Sequence, residues 1–114
     1  MITAKMTHCG NCYTLDVDGH AGFNPGNDVV CAGVSALCQS LMSWCVNSEE
    51  THITELDARS GKFHITAFGR TQDAFSMAAL GLKGIEANYP ENISVNIENI
   101  FKTCLAKSTP VLSQ

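Results

Sequence analysis

Hydrophobic and polar residues alternate at the start of the chain. Ile2, Ala4 and Met6 fall on one face, and Thr3, Lys5 and Thr7 on the other. A period of two over residues 2–8 predicts a strand with one buried face. Cys9-Gly10-Asn11-Cys12 then reads as a hairpin turn, after which Tyr13, Leu15 and Val17 alternate with Thr14, Asp16 and Asp18 as a second strand. The run from Gly19 to Gly26, GHAGFNPG, holds three glycines and a proline, so a mobile loop is expected rather than a regular element.

From Asp28 the period changes. Val30, Val34, Leu37, Leu41 and Trp44 fall at helical spacing and predict an amphipathic helix over 28–46, with Asp28 or Asn27 as its N-cap. Residues 51–57 and 62–68 read as weaker strands joined around Ser60-Gly61. Thr71 opens a second helix with the stripe Phe75, Ala78, Leu82, Ile85 and Tyr89, and Pro90 ends it. Ile93, Val95 and Ile97 alternate as a last strand, while residues 101–114 carry no clear pattern and read as a frayed tail. The order ββαββαβ predicts one two-layer α+β domain over residues 1–100, a mostly antiparallel sheet with two amphipathic helices on one face. Its other face and its edges need solvent or a partner, and a homodimer is one simple way to cover them.

Composition narrows the function classes. A chain of 114 residues allows one domain, and 45% hydrophobic residues exclude a disordered one. No apolar run is expected to reach the length of a membrane span, and MITAKMTHCG lacks a signal peptide's apolar stretch. A soluble cytoplasmic protein with no membrane partner is therefore expected. In that compartment the six cysteines are not read as three disulfides; they are apolar fillers, metal ligands or nucleophiles. Seven basic residues against eleven acidic ones give a net charge of −4 with no basic cluster, which argues against direct nucleic-acid binding.

Candidate chemistry concentrates in residues 18–35, DGHAGFNPGNDVVCAGVS. Cys31 lies in the first turn of the helix, where unpaired N–H groups and the positive end of the helix dipole favour a thiolate. The same N–H groups could hold an oxyanion. His20 ends a strand, and the glycine-rich loop between it and Cys31 lets the imidazole reach the sulfur as a general base. Ser35 is one turn beyond Cys31 on the same face. Each residue also has a plainer reading. Cys31, Cys38 and Cys45 could form one buried stripe, His20 could be an ordinary loop residue, and Asp28 is better explained as a cap than as the group orienting His20. Asp16 and Asp18 read as a solvated strand face. Phe23 could touch a substrate or simply pack on the domain. His8-Cys9-Gly10-Asn11-Cys12 offers a third possibility, a zinc or redox site, but its ligand set is incomplete, with Cys104 the only loose candidate for another ligand.

Gly19-His20-Ala21, a glycine-containing loop, and Asp28-Val29-Val30-Cys31-Ala32-Gly33-Val34-Ser35 together resemble the signature of the ribosomal-processing cysteine protease family, Prp. That signature is Gly-His-Ala, a glycine-rich loop, and Asp-Ile-Val-Cys-Ala-Ala-Val-Ser. Val29 and Gly33 are the two departures, the second costing about 1 kcal/mol of helix propensity. The late Tyr89-Pro90 before a final strand also fits. The resemblance implies a homodimeric cysteine endopeptidase that uses no metal or cofactor. It implies Cys31 as nucleophile and His20 as base. The implied substrate is the N-terminal extension of a basic large-subunit ribosomal protein, L twenty-seven. It also implies that the loop Ala21–Asn27, with Gly22, Phe23 and Gly26, orders over that substrate. Gly19, Asp28 and Ser35 are further candidates to line the site. A non-enzymatic ribosome-associated binding module is the competing reading, although such a module does not require the Gly-His-Ala…Cys pairing.

Overall fold

A computed structural model of the chain describes residues 1–20 and 28–99. Seven elements follow in the expected order: β1 (Ile2–Cys9), β2 (Cys12–Asp18), α1 (Val29–Asn47), β3 (Thr51–Arg59), β4 (Lys62–Gly69), α2 (Gln72–Asn88) and β5 (Ile93–Asn99). The loop Ala21–Asn27, including Gly22, Phe23 and Gly26, and the tail with Cys104 lie outside the described residues.

The five strands form one sheet in the order β3-β4-β2-β1-β5. All neighbours are antiparallel except β1 and β5, which run parallel because the chain crosses over through the helices before returning to the edge. The alternation read from the sequence sets the faces. Ile2, Ala4, Met6, Tyr13, Leu15, Val17, Phe63, Ile65 and Ala67 are buried under the helices. Both helices join that core, so the domain has two layers.

The buried face of α1 is Val30, Val34, Cys38, Leu41 and Cys45. Trp44, expected in the stripe, is instead exposed, and Leu37 is half-buried against α2. The helix has no charged residue to mark its outer face, so several apolar stripes were compatible with its sequence. That also corrects the expectation about membrane-length runs. By length and composition α1 is apolar enough to cross a membrane, although Ser, Gln and Asn interrupt it. Here its apolar stripe packs on the sheet.

Gly81 lets α2 approach α1, because an added Cβ would lie 2.7 Å from Leu37 Cδ2. Thr71 is the N-cap of α2, but its hydroxyl donates to the Asn11 carbonyl at 2.8 Å, tying the helix start to the β1–β2 turn. On edge strand β5, the Val95 N–H donates to Glu86 Oε2 at 2.8 Å and the Val95 carbonyl accepts from Lys83 Nζ at 3.0 Å. Side chains of α2 thereby occupy edge groups that would otherwise invite another strand.

Candidate active site

The helix start that carries Cys31 is built by Asp28. Its Oδ1 accepts the N–H groups of Val30 at 2.9 Å and of Cys31 at 3.0 Å. Asp28 is therefore the N-cap, as its residue type predicts. One expectation changes as a result. The Cys31 N–H, read as an oxyanion donor, already serves the cap carboxylate, which occupies the place an oxyanion would take. The Ala32 N–H is likewise engaged, with the Asp28 carbonyl at 3.0 Å.

His20 is placed by the other end of the sheet. Gly19, at φ +97°, turns the chain out of β2, and a Cβ there would collide with the Met1 carbonyl oxygen. Its N–H donates to the Gly61 carbonyl at 2.9 Å. The His20 ring then lies over Gly61 in the β3–β4 turn.

These parts border one cleft of about 550 Å³. The start of α1 contributes Cys31 and Ser35, and the end of β2 contributes Gly19 and His20. The structure thus brings four of the sequence-predicted site residues to one cavity. Cys31 is half-buried and His20 exposed, so both are open to a peptide. Apolar side chains, among them Val17, Val34 and Phe63, form part of the wall. Arg59 and Lys62, unremarked in the sequence, also line the cleft with Ser60 and Gly61 of the β3–β4 turn, beside His20. Nothing local in the sequence marks this turn as part of a site; only the β2–β4 register, with Asp18 opposite Lys62, brings it to His20.

The remaining candidates lie elsewhere. Asp18 pairs with Lys62 at 3.1 Å, and Asp16 hydrogen-bonds His64, both on the sheet face away from the helices. Burial pushes the Cys38 thiol up to about 11 and raises that of Cys45 as well, which suits apolar fillers rather than nucleophiles. Cys9 and Cys12 are exposed and directly opposed across the hairpin. His8 instead pairs with Tyr13 and stacks on its ring at 4.5 Å, so by strand alternation it projects from the other face. Among the described residues, no three His, Cys, Asp or Glu side chains gather around a possible metal.

The sequence profile described as cysteine protease Prp matches residues 1–94. The chain belongs to the Prp family. Two solved structures of the ribosomal processing protease Prp from Staphylococcus aureus resemble it. The one with a covalently linked product peptide is 30% identical with a TM-score of 0.75, covering 85% of this chain and 99% of that chain. The one with a substrate peptide is 27% identical with a TM-score of 0.68 over the same shares, 85% and 99%. A Streptococcus mutans protein, 23% identical with a TM-score of 0.66 over 87% of this chain and 95% of that one, shares the fold. A search of curated proteins by sequence found no match. The two departures from the Prp signature are not among the residues lining the cleft. Val29 is exposed, and Gly33 faces α2, where an added Cβ would lie 3.3 Å from Ile85 Cδ1.

Proposed function

We propose that this Prp-family cysteine peptidase uses Cys31 as nucleophile and His20 as general base. Its substrate is the N-terminal extension of a large-subunit ribosomal protein, L twenty-seven. The carrying observation is that Cys31 and His20, separated in sequence by a glycine-rich loop, border the same cleft. The Staphylococcus aureus relative, a ribosomal processing protease seen with substrate and product peptides, supports the substrate class. A net charge of −4 suits a basic partner, and the same reading places the protein in the cytoplasm as a homodimer.

His20 takes the thiol proton, and the Cys31 sulfur attacks the scissile carbonyl carbon to give a tetrahedral oxyanion. The C–N bond then breaks, His20 protonates the leaving amine, and an acyl-thioester remains. Water attacks the thioester with His20 as base, the C–S bond breaks, and the carboxylic product leaves with the thiol restored. The oxyanion competes with Asp28 Oδ1 for the Cys31 N–H, so that donor serves catalysis only when the cap shifts.

The test is incubation of the unprocessed ribosomal protein with wild type and with Cys31→Ala. Wild type is expected to cut at one site and Cys31→Ala to leave the protein intact. Cleavage by Cys31→Ala at the wild-type rate overturns the assignment. A stable complex of intact chains with wild type would support a binding module instead.

A further inference from the structure

We propose that Gly61, in the β3–β4 turn, is the positioning residue for the His20 imidazole. The proposal rests on reading His20 as the base. Three successive residues at the end of β2 register on this turn. Asp18 pairs with Lys62 at 3.1 Å, the Gly19 N–H donates to the Gly61 carbonyl at 2.9 Å, and the His20 ring covers the Gly61 α-carbon. A Cβ added at Gly61 would lie 2.8 Å from His20 Nε2, 3.3 Å from Cε1 and 3.5 Å from Cδ2. Its three nearest neighbours are therefore all ring atoms of one side chain.

The base is thus located by the β3–β4 turn, while the nucleophile is located by the start of α1. Both border the one cleft, so the turn sets where the base stands in it. Because the imidazole is the free end of a side chain, it can swing away from a new methyl group without moving the backbone. The displacement leaves the fold intact and moves the base, and a shift of about 1 Å costs on the order of 100-fold in rate.

The left-handed backbone at Gly61, φ +76°, means that Gly61→Ala also strains the turn. Gly10→Ala supplies the control. Gly10 sits at φ +61° in the β1–β2 turn, where an added Cβ meets nothing within 4 Å. Both variants are expected to lose comparable thermal stability. With the unprocessed ribosomal protein, Gly61→Ala is expected to lose about 10- to 100-fold in kcat with little change in KM, and Gly10→Ala to keep its kcat. A second readout needs no substrate: the rate at which iodoacetamide alkylates Cys31, followed by mass spectrometry of its peptide. Gly61→Ala is expected to slow this step in an otherwise wild-type chain and to have no further effect in a His20→Ala background.

Equal kcat in Gly61→Ala and Gly10→Ala overturns the proposal, as does an undiminished effect of Gly61→Ala on alkylation without His20. Wild-type cleavage and alkylation by His20→Ala overturn the base assignment itself. Loss of both in His20→Ala with full activity in Gly61→Ala overturns only the positioning role.

Discussion

Asp28 combines two properties that a helix-start cysteine sets against each other. As a cap it satisfies the N–H groups of Val30 and Cys31. As an anion it fills the site where catalysis would need the Cys31 N–H. Asp28→Ala is expected to cost about 1 kcal/mol of stability through loss of the cap, while Asp28→Ser keeps most of it because a hydroxyl can accept the same bonds. Urea unfolding of the two variants checks this, and equal losses would remove the capping account. That Cys31 and His20 border one cleft was legible in the sequence, since a helix start and a strand end are local features, while their pairing as candidates came from the resemblance to the Prp signature. The occupancy of the Cys31 N–H follows once Asp28 rather than Asn27 is the cap, because a cap side chain accepts from the second and third helical amides and Cys31 is the third. Gly61 was not legible, because it reaches His20 only through strand pairing.

At the scale of the elements, local periodicity located all seven, most weakly β3, where a register shift between Ile53 and Glu55 breaks the alternation. Strand order and the parallel β1–β5 pair depend on contacts distant in sequence and carried no local signal. The same pairing creates a polar cluster on the open sheet face. His64 of β4 bonds Asp16 of β2 through Nδ1 at 2.5 Å and Glu55 of β3 through Nε2 at 2.7 Å. Those two hydrogen bonds, Asp16 first, raise the His64 value above that of a free imidazole, against a smaller opposing effect of burial. Both acceptors are carboxylates, so the protonated ring satisfies both at once. Because the folded value exceeds the unfolded one, the stabilisation is complete below about pH 6.5 and is lost as pH rises through the folded value. Wild type is therefore expected to lose stability to urea between pH 6 and pH 8 more steeply than His64→Gln. Parallel pH dependences of the two unfolding midpoints would remove His64 from the account.

For the whole molecule, this polar cluster changes where a partner should be sought. The sequence left the open sheet face to solvent or a partner. It is laced by charged and hydrogen-bonded pairs, Lys5–Glu98 and Lys62–Asp18 beside the His64 cluster, and such a face is at home in water. The exposed apolar side chains of α2 lie on the helical layer: Met77 is 71% and Leu80 74% exposed, one turn apart. Gly84 continues that side of the helix one turn further and leaves open space beside it, so the surface there is low. Two large apolar residues flanked by a small one form a suitable centre for a self-complementary contact. The proposed homodimer is accordingly expected to close through α2. Light scattering at micromolar concentration should give twice the chain mass for wild type and for Asp16→Asn, and a single chain mass for the double variant Met77→Lys, Leu80→Lys. A monomeric wild type would overturn the homodimer, and a dimeric double variant would move the interface away from α2. The cleft residues Cys31 and His20 belong to α1 and the end of β2, so a monomeric α2 variant that still cleaves would separate assembly from chemistry.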